Sequence, residues 1–489
     1  MNQIDWNRVL DLFVYNQDEP LLFTSGLFLF AFLIFLFFYQ FTYRRNGLRV
    51  VYVTLFSLYF YYKASGYHVL ILAAATLFNF YLAKFMDRRT TKKGRKTFLV
   101  CGLVADFGCL AYMKYTNFFI ETISRISSAS IEPLDLLLPL GISFYTYQVA
   151  GYLIDVYRKD VKAAASLADF AFFVTFFPKL LVGPLTRTKE FMPQVRSAIE
   201  ITREGIGRGL FLIVCGLVKK MIIADYISFN FVDRVFDDPA KFSGIENLMA
   251  VYGYALQIYC DFSGYTDMAI GVALFIGYRL PINFNSPYQS MNIAEFWRRW
   301  HISLSTWFRD YLYIPLGGNR CNAFRQCFNI MATMLVCGLW HGASWNFVFW
   351  GFLHGLGLIV HKVFRENVTM KENGLVRLLS IILTFNFVSF GWIFFRADTF
   401  QTAFDVLKQI AGSFQGQLLM PLVAGYKTVF IIMAAGYILH FLPGRLEEWG
   451  KQVVVRMPLV LQSLFLAGAI WLIVQFKSSA IQPFIYLQF

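Results

Sequence analysis

EFWRRWHISLSTWFRDYLYIPLGGNR (295–320) and, beyond a basic connector and an apolar run, CGLWHGASWN (337–346) hold two of the chain's six histidines. His301 and His341 are each directly preceded by a tryptophan, Trp300 and Trp340. His301 lies among arginines and aromatics, whereas His341 lies in a hydrophobic segment with Gly342 behind it. Composition decides how this stretch is read. Of 489 residues, 57% are hydrophobic, 19% aromatic and only 15% charged, with a mean hydropathy of +0.52. An average soluble chain carries about 25% charged residues. The fold class implied is all-α: a polytopic membrane protein. An ionisable side chain at membrane depth is costly and is a functional candidate by default, so the two histidines lead the search.

Working outward, residues 1–19 are polar and acidic, and 20–43 carry no charge, which exceeds the ~20 residues needed to cross a bilayer. Arg44, Arg45 and Arg49 follow, so the N-terminus is expected outside the cytosol. A cleavable leader would place its positive charges first and end in small residues; the first span is therefore expected to stay. Further apolar runs at 50–64, 67–86, 97–119, 136–157, 209–230, 247–277, 326–343, 345–361, 375–395, 426–442 and 457–476 bring the expected count to eleven or twelve spans. Residues 168–186 contain Pro178, Lys179, Gly183 and Pro184, which fit either a re-entrant segment buried in protein or a kinked span. With no repeat or linker, 1–489 reads as one domain with a polar-aromatic, cytosol-leaning insert at 278–325 and an extracytoplasmic tail at 477–489.

The formal charge of +14 would suggest nucleic acid in a soluble protein. Here the basic residues sit in short loops such as DRRTTKKGRK (87–96), as the positive-inside rule requires, so the excess is topological and no nucleic acid is expected. Seven scattered cysteines without a CxxC pair argue against disulfides and zinc, and no metal is expected.

Three motifs carry chemistry. In YCDFSGYTDMAIG (259–271), Asp261 and Asp267 lie in a run otherwise fit for lipid, with Gly264 and Gly271 allowing close backbone approach. The favoured reading is a polar network joining spans; the sharper one has Asp261 orient a histidine or line a substrate path. In LPINFNSPYQSMNIAEFWRRWHISLSTWF (280–308), prolines prevent a regular start, and Asn283, Asn285 and Ser286 can cap loop backbone. A helix is expected from Asn292, with Glu295 completing a variant capping box. Trp297, His301, Leu304 and Phe308 would then share one stripe, with Arg298 and Arg309 on its flank. In CGLWHGASWNFVFWGFLHG (337–355), small residues let backbones pack beside bulky tryptophans. A buried His341 is expected to be neutral, the state a general base needs; His354 reads as a core residue.

These motifs, with the terminal FIYLQF (484–489), resemble the membrane-bound O-acyltransferases, and among them the bacterial alginate O-acetylation (AlgI-like) branch. The resemblance implies a ring of transmembrane helices around a central tunnel that joins a cytosolic donor to an extracytoplasmic acceptor. It maps the family's principal catalytic histidine onto His341 and its second histidine onto His301. It implies acetyl-CoA as donor substrate without a permanently bound cofactor, and the cytoplasmic (inner) membrane as location. Implied partners are membrane lipid, a polysaccharide acceptor and a periplasmic SGNH-type (AlgJ- or AlgX-like) acetyltransferase. Asn285, Trp300, Arg309 and Trp340, with Asp261, are the expected substrate contacts, and Tyr486 a possible acyl relay. Peptidoglycan O-acetylation and DltB-like D-alanyl transfer to teichoic acid are alternatives in the same class. A transporter or flippase is the alternative of a different class, but the paired inverted repeats such a protein would show are not visible.

Overall fold

The computed structural model describes residues 11–17, 19–127, 131–368, 373–476 and 484–485, and no strand occurs among them. By packing, the chain forms two compact units, Met1–Gly209 with Ala269–Pro281, and Leu210–Met268 with Ile282–Phe489.

The first unit contains α1 (Gly26–Thr42), α2 (Asn46–Ser65), α3 (Val69–Asp87), α4 (Lys92–Ser127), α5 (Ile142–Arg158), α6 (Leu167–Thr175) and α7 (Thr188–Arg196). The start of α1 is set by Ser25, whose hydroxyl accepts the Phe28 N–H at 3.1 Å. Its buried stripe is Phe28, Phe32, Phe35 and Tyr39, while Phe30, Leu33, Phe37 and Phe41 stand exposed. A helix apolar on both sides is what lipid on the outer face asks for. Between α2 and α3 the chain turns through Gly66 at φ 60°, where a side chain would press on the Tyr15 ring.

Two arginines from the basic flanks are drawn inside. Arg49 donates to the carbonyls of Tyr43 (2.9 Å), Val195 (3.0 Å) and Ser197 (2.8 Å), answering orphan carbonyls at the ends of α1 and α7. Arg95 does the same for Met86 at 3.3 Å and Val156 at 2.5 Å, near the ends of α3 and α5. Residues 168–186 prove broken. α6 has nine residues and stops at Phe176, a short turn Phe177–Leu180 follows, and the chain then extends to Thr188. Nine residues rise only about 14 Å, and 172–186 are all buried, as irregular backbone in such a protein must be.

α8 (Arg203–Leu217) continues into a π-helical stretch, Val218–Ala224, and α9 (Gly244–Phe275) is the long helix after it. The second unit then adds α10 (Ile293–Arg299), α11 (Ile302–Phe308), α12 (Ala323–His341), α13 (Trp345–Asn367), α14 (Gly374–Arg396), α15 (Phe400–Gly412), α16 (Lys427–Phe441), α17 (Gly444–Arg456) and α18 (Leu459–Phe476). Among the described residues, five helical runs are long and apolar enough to cross a membrane, or six if the pair bent by 98° before α16 is one broken span. The other expected spans fall on helices that are shorter, like α1, or more polar, like α9. The protein is a multi-pass, all-helical membrane protein.

The hairpin of α12 and α13 positions the site. Cβ atoms at Gly338 and Gly351 would run into the backbone carbonyls of Phe347 and Met334, so the two helices meet backbone to backbone. Gly351→Val is expected to destabilise the protein by about 1–3 kcal/mol through overpacking, read as a lowered unfolding midpoint in detergent. Gly468→Ala on α18, which has open space around it, should leave the midpoint unchanged or slightly raised.

Candidate functional site

His341 is the last residue of α12, and Gly342 caps the helix in extended conformation. Gly342 is required by packing, since a side chain there would collide with the Phe347 ring. The His341 imidazole is buried, with ring centroids of Trp340, Trp350 and Phe395 at 4.9, 5.0 and 5.2 Å. One helical turn back, the Cys337 sulfur lies 4.0 Å from Nε2.

His301 does not sit mid-helix. The single helix expected from Asn292 is two, α10 and α11, broken at Trp300–His301, with His301 at φ 41°, ψ 55°. The expected stripe through His301 is thereby overturned. The start is as expected: Asn292 Oδ1 accepts the Glu295 N–H at 2.8 Å, and the Glu295 carboxylate accepts the Met291 N–H at 2.9 Å. What breaks the helix is Asn283, fully buried. Its carbonyl accepts the Ile302 N–H at 2.9 Å, and its Oδ1 accepts the Ser303 hydroxyl at 2.6 Å and the Ser303 N–H at 3.2 Å. Asn283 thus caps α11 from outside, and the same Oδ1 lies 3.3 Å from His301 Nδ1. A left-handed non-glycine residue costs roughly 1–2 kcal/mol, which these bonds offset. Burial pushes the His301 imidazole from its ordinary 6.5 down to about 3, so it is neutral at physiological pH.

Trp340 joins the two histidines: its ring centroid lies 5.6 Å from His301 and 4.9 Å from His341. Trp300 is fully buried and packs on Phe284, Phe296 and Trp392. Asn285 is exposed, and its bonds run through its backbone, to Arg299. Arg309 pairs with Asp310 at 2.7 Å and lines a cavity of about 190 Å³ with Trp297, Phe308, Tyr313, Met334 and Cys337. Its wall thus includes both the exposed Arg309 and Cys337, whose sulfur lies beside His341. His354 Nδ1 accepts the Trp297 indole N–H at 3.2 Å, a core role. Among the described residues, no group of three metal-ligating side chains forms.

The two aspartates form the polar network. Asp267 pairs with Lys219 at 2.6 Å, and Asp261 with Lys220 at 2.5 Å. Cβ atoms at Gly216 and Gly264 would each meet the other's backbone carbonyl, so α8 and α9 touch closely there. Both lysines were missed in the sequence reading, although a charged pair inside the apolar run 209–230 is the same signal that singled out the histidines. Tyr486 lies outside the described residues, as do 1–10 and most of the 477–489 tail.

The profile described as MBOAT, membrane-bound O-acyltransferase family, matches residues 157–398. The chain is 30% identical over 287 residues to the teichoic acid D-alanyltransferase of Bacillus subtilis, covering 55% of this chain and 71% of that protein. The chain belongs to the membrane-bound O-acyltransferase family. It is also 39% identical over 344 residues to the peptidoglycan O-acetyltransferase of Helicobacter pylori, 65% of each chain. Identity to the probable alginate O-acetylase AlgI of Azotobacter vinelandii is 43% over 310 residues, 63% of this chain and 61% of that protein. The chain thus spans less than two thirds of these last two relatives. The family match contains the WRRWH and LWHG segments, Asp261 and both lysines, and stops short of the C-terminal tail.

Two measurements probe this site. Asn283→Ala leaves the Ser303 N–H and hydroxyl without their side-chain acceptor and should cost about 1–3 kcal/mol, seen as a lowered unfolding midpoint. For pH, the sign follows from a folded-state value of about 3 against 6.5 unfolded: the contribution of neutral His301 is present above pH 6.5 and is lost as pH falls toward 3. His301→Phe should therefore lose less stability than the native protein between pH 6.5 and pH 4.

Proposed function

We propose that this chain is an O-acetyltransferase of the cytoplasmic membrane that carries acetyl groups from cytosolic acetyl-CoA to an extracytoplasmic polysaccharide, with an alginate-like exopolysaccharide as the favoured acceptor. The observation that carries the reading is the pair of buried histidines about Trp340, beside a cavity lined by Arg309 and by Cys337, whose sulfur lies next to His341. Similarity to alginate O-acetylases at about 40% identity supports the acceptor class. The acidic flank before the first apolar run and the basic flank after it support an N-terminus outside the cytosol.

In this reaction a donor thioester enters on the arginine-bearing side. His341 takes the proton of the attacking hydroxyl as its oxygen bonds to the acyl carbon. The tetrahedral oxyanion collapses, the C–S bond breaks, and the imidazolium returns its proton to the departing thiolate. Neutral His301, held by Asn283, positions the acyl group or donates a hydrogen bond to the oxyanion. Arg309 is placed to receive the anionic part of the donor, while Trp340 and Trp300 shape the path between the histidines. Asn285, being exposed, has no part in the oxyanion step in this scheme. Tyr486 acts as a phenolic relay, and an SGNH-type periplasmic partner completes transfer to the polymer. The second reading, a peptidoglycan acceptor, draws on the similarity to the Helicobacter pylori enzyme.

The test is the full-length protein in proteoliposomes with radiolabelled acetyl-CoA. Native protein should release CoA on the donor side, and His341→Ala should reduce that release by at least about a hundredfold, the scale of a lost general base. CoA release at the native rate from His341→Ala would end the catalytic assignment, and intact donor inside the vesicles would favour a transporter. Full polymer acetylation by Tyr486→Phe in cells would remove the relay; acetylation of peptidoglycan rather than exopolysaccharide would move the acceptor to the second reading.

A further inference from the structure

The C-terminal tail is tied into the second unit at a buried ion cluster. Phe484 and Ile485 are 1% and 6% exposed. The Ile485 N–H donates to Asp261 Oδ2 at 3.0 Å, and Asp261 Oδ1 accepts from the Lys220 ammonium at 2.5 Å. Lys220 is shared, pairing also with Asp225 at 2.8 Å. The ammonium lies 4.7 Å from the centroid of the Phe484 ring, which also meets the Tyr265 ring edge-on at 4.6 Å.

The charge count explains why the tail is needed there. Among the described residues, two carboxylates face one shared ammonium, and a buried charge is tolerated only when its remaining lone pairs are answered. Asp225 is partly exposed, so water reaches it, but the Asp261 side chain is only 3% exposed. Its second oxygen takes a donor from the tail backbone. A backbone N–H carries no sequence information; the register comes from Phe484, whose ring face receives the cation. Lys220 sits on the π-helical stretch Val218–Ala224, a local widening of the helix of the kind found where a side chain must be re-aimed.

We propose that Asp261 and Lys220, with Asp225, form a receptor for the chain's own C-terminal tail, and that they are positioning residues for acyl transfer. Clamping Phe484 and Ile485 fixes the point from which the rest of the tail, beginning with Tyr486, continues. The proposal rests on the acyltransferase reading for its functional half, whereas the clamp itself stands on the contacts alone.

The test uses full-length protein in nanodiscs, with hydrogen exchange of the amides of 486–489 and steady-state acetyl transfer from acetyl-CoA to polysaccharide in the partner's presence. Ile485→Pro removes the donor and leaves the ion cluster intact; Ile485→Ala keeps the donor. Asp261→Asn alters the receptor while Lys220 retains Asp225. Ile485→Pro and Asp261→Asn should speed tail exchange roughly tenfold or more, the scale of a lost hydrogen bond to a charged group. They should also lower kcat for polymer acetylation at least about tenfold, with KM for acetyl-CoA unchanged, and Ile485→Ala should match the native protein. Unchanged tail exchange in Ile485→Pro and Asp261→Asn would overturn the clamp. Faster exchange with native kcat would overturn the positioning role. If native protein turned over no acetyl-CoA, the acyltransferase reading would fall and the exchange arm would still decide the clamp.

Discussion

A polar group buried among so many apolar side chains is costly unless it finds a partner within the chain. That one constraint accounts for the features that place the site. Arg49 and Arg95 leave their expected basic flanks to answer helix-end carbonyls. Lys219 and Lys220 answer Asp267 and Asp261. Asn283 answers the open end of α11 and thereby creates the left-handed residue on which His301 stands. Removing one partner of such a set strands the other, which costs more than the bond itself contributed.

The two histidines are held by different means, and the difference matters to what each can do. His341 ends a helix whose backbone contact with α13 leaves no room for side chains at Gly338 or Gly351, so its position follows from rigid elements. His301 sits on a strained link between two seven-residue helices, secured by one asparagine. Precision in a site comes from rigid supports. This difference in support favours His341 for the proposed proton transfer and His301 for the proposed contact or shaping role. Trp340, immediately before His341 and in contact with both rings, makes the spacing between them a property of α12.

Much of this was legible in the sequence: the apolar runs, the helix start at Asn292, the close approach at Gly264 and the core role of His354 all follow from local pattern. What was not legible depends on partners far apart in the chain. A 3.6-residue stripe through Trp297, His301, Leu304 and Phe308 is a sound local inference, yet it lost to Asn283, whose tertiary capping outweighs one helical turn. Likewise, nothing in the run 209–230 says that adjacent lysines will diverge to two aspartates on another helix. Long-range hydrogen bonds are where local reading stops, and here they are concentrated around the candidate site.

The same reasoning explains why Asp261 is better understood through the tail than through the histidines. Its neighbour Phe262 packs on His301 at 4.6 Å, so the two faces of one stretch of α9 serve two tasks. Adjacent helical residues point about 100° apart, which lets the aromatic side hold the imidazole while the acidic side engages Lys220 and Ile485. The tail contact and the His301 contact therefore lie on adjacent residues of one helical segment.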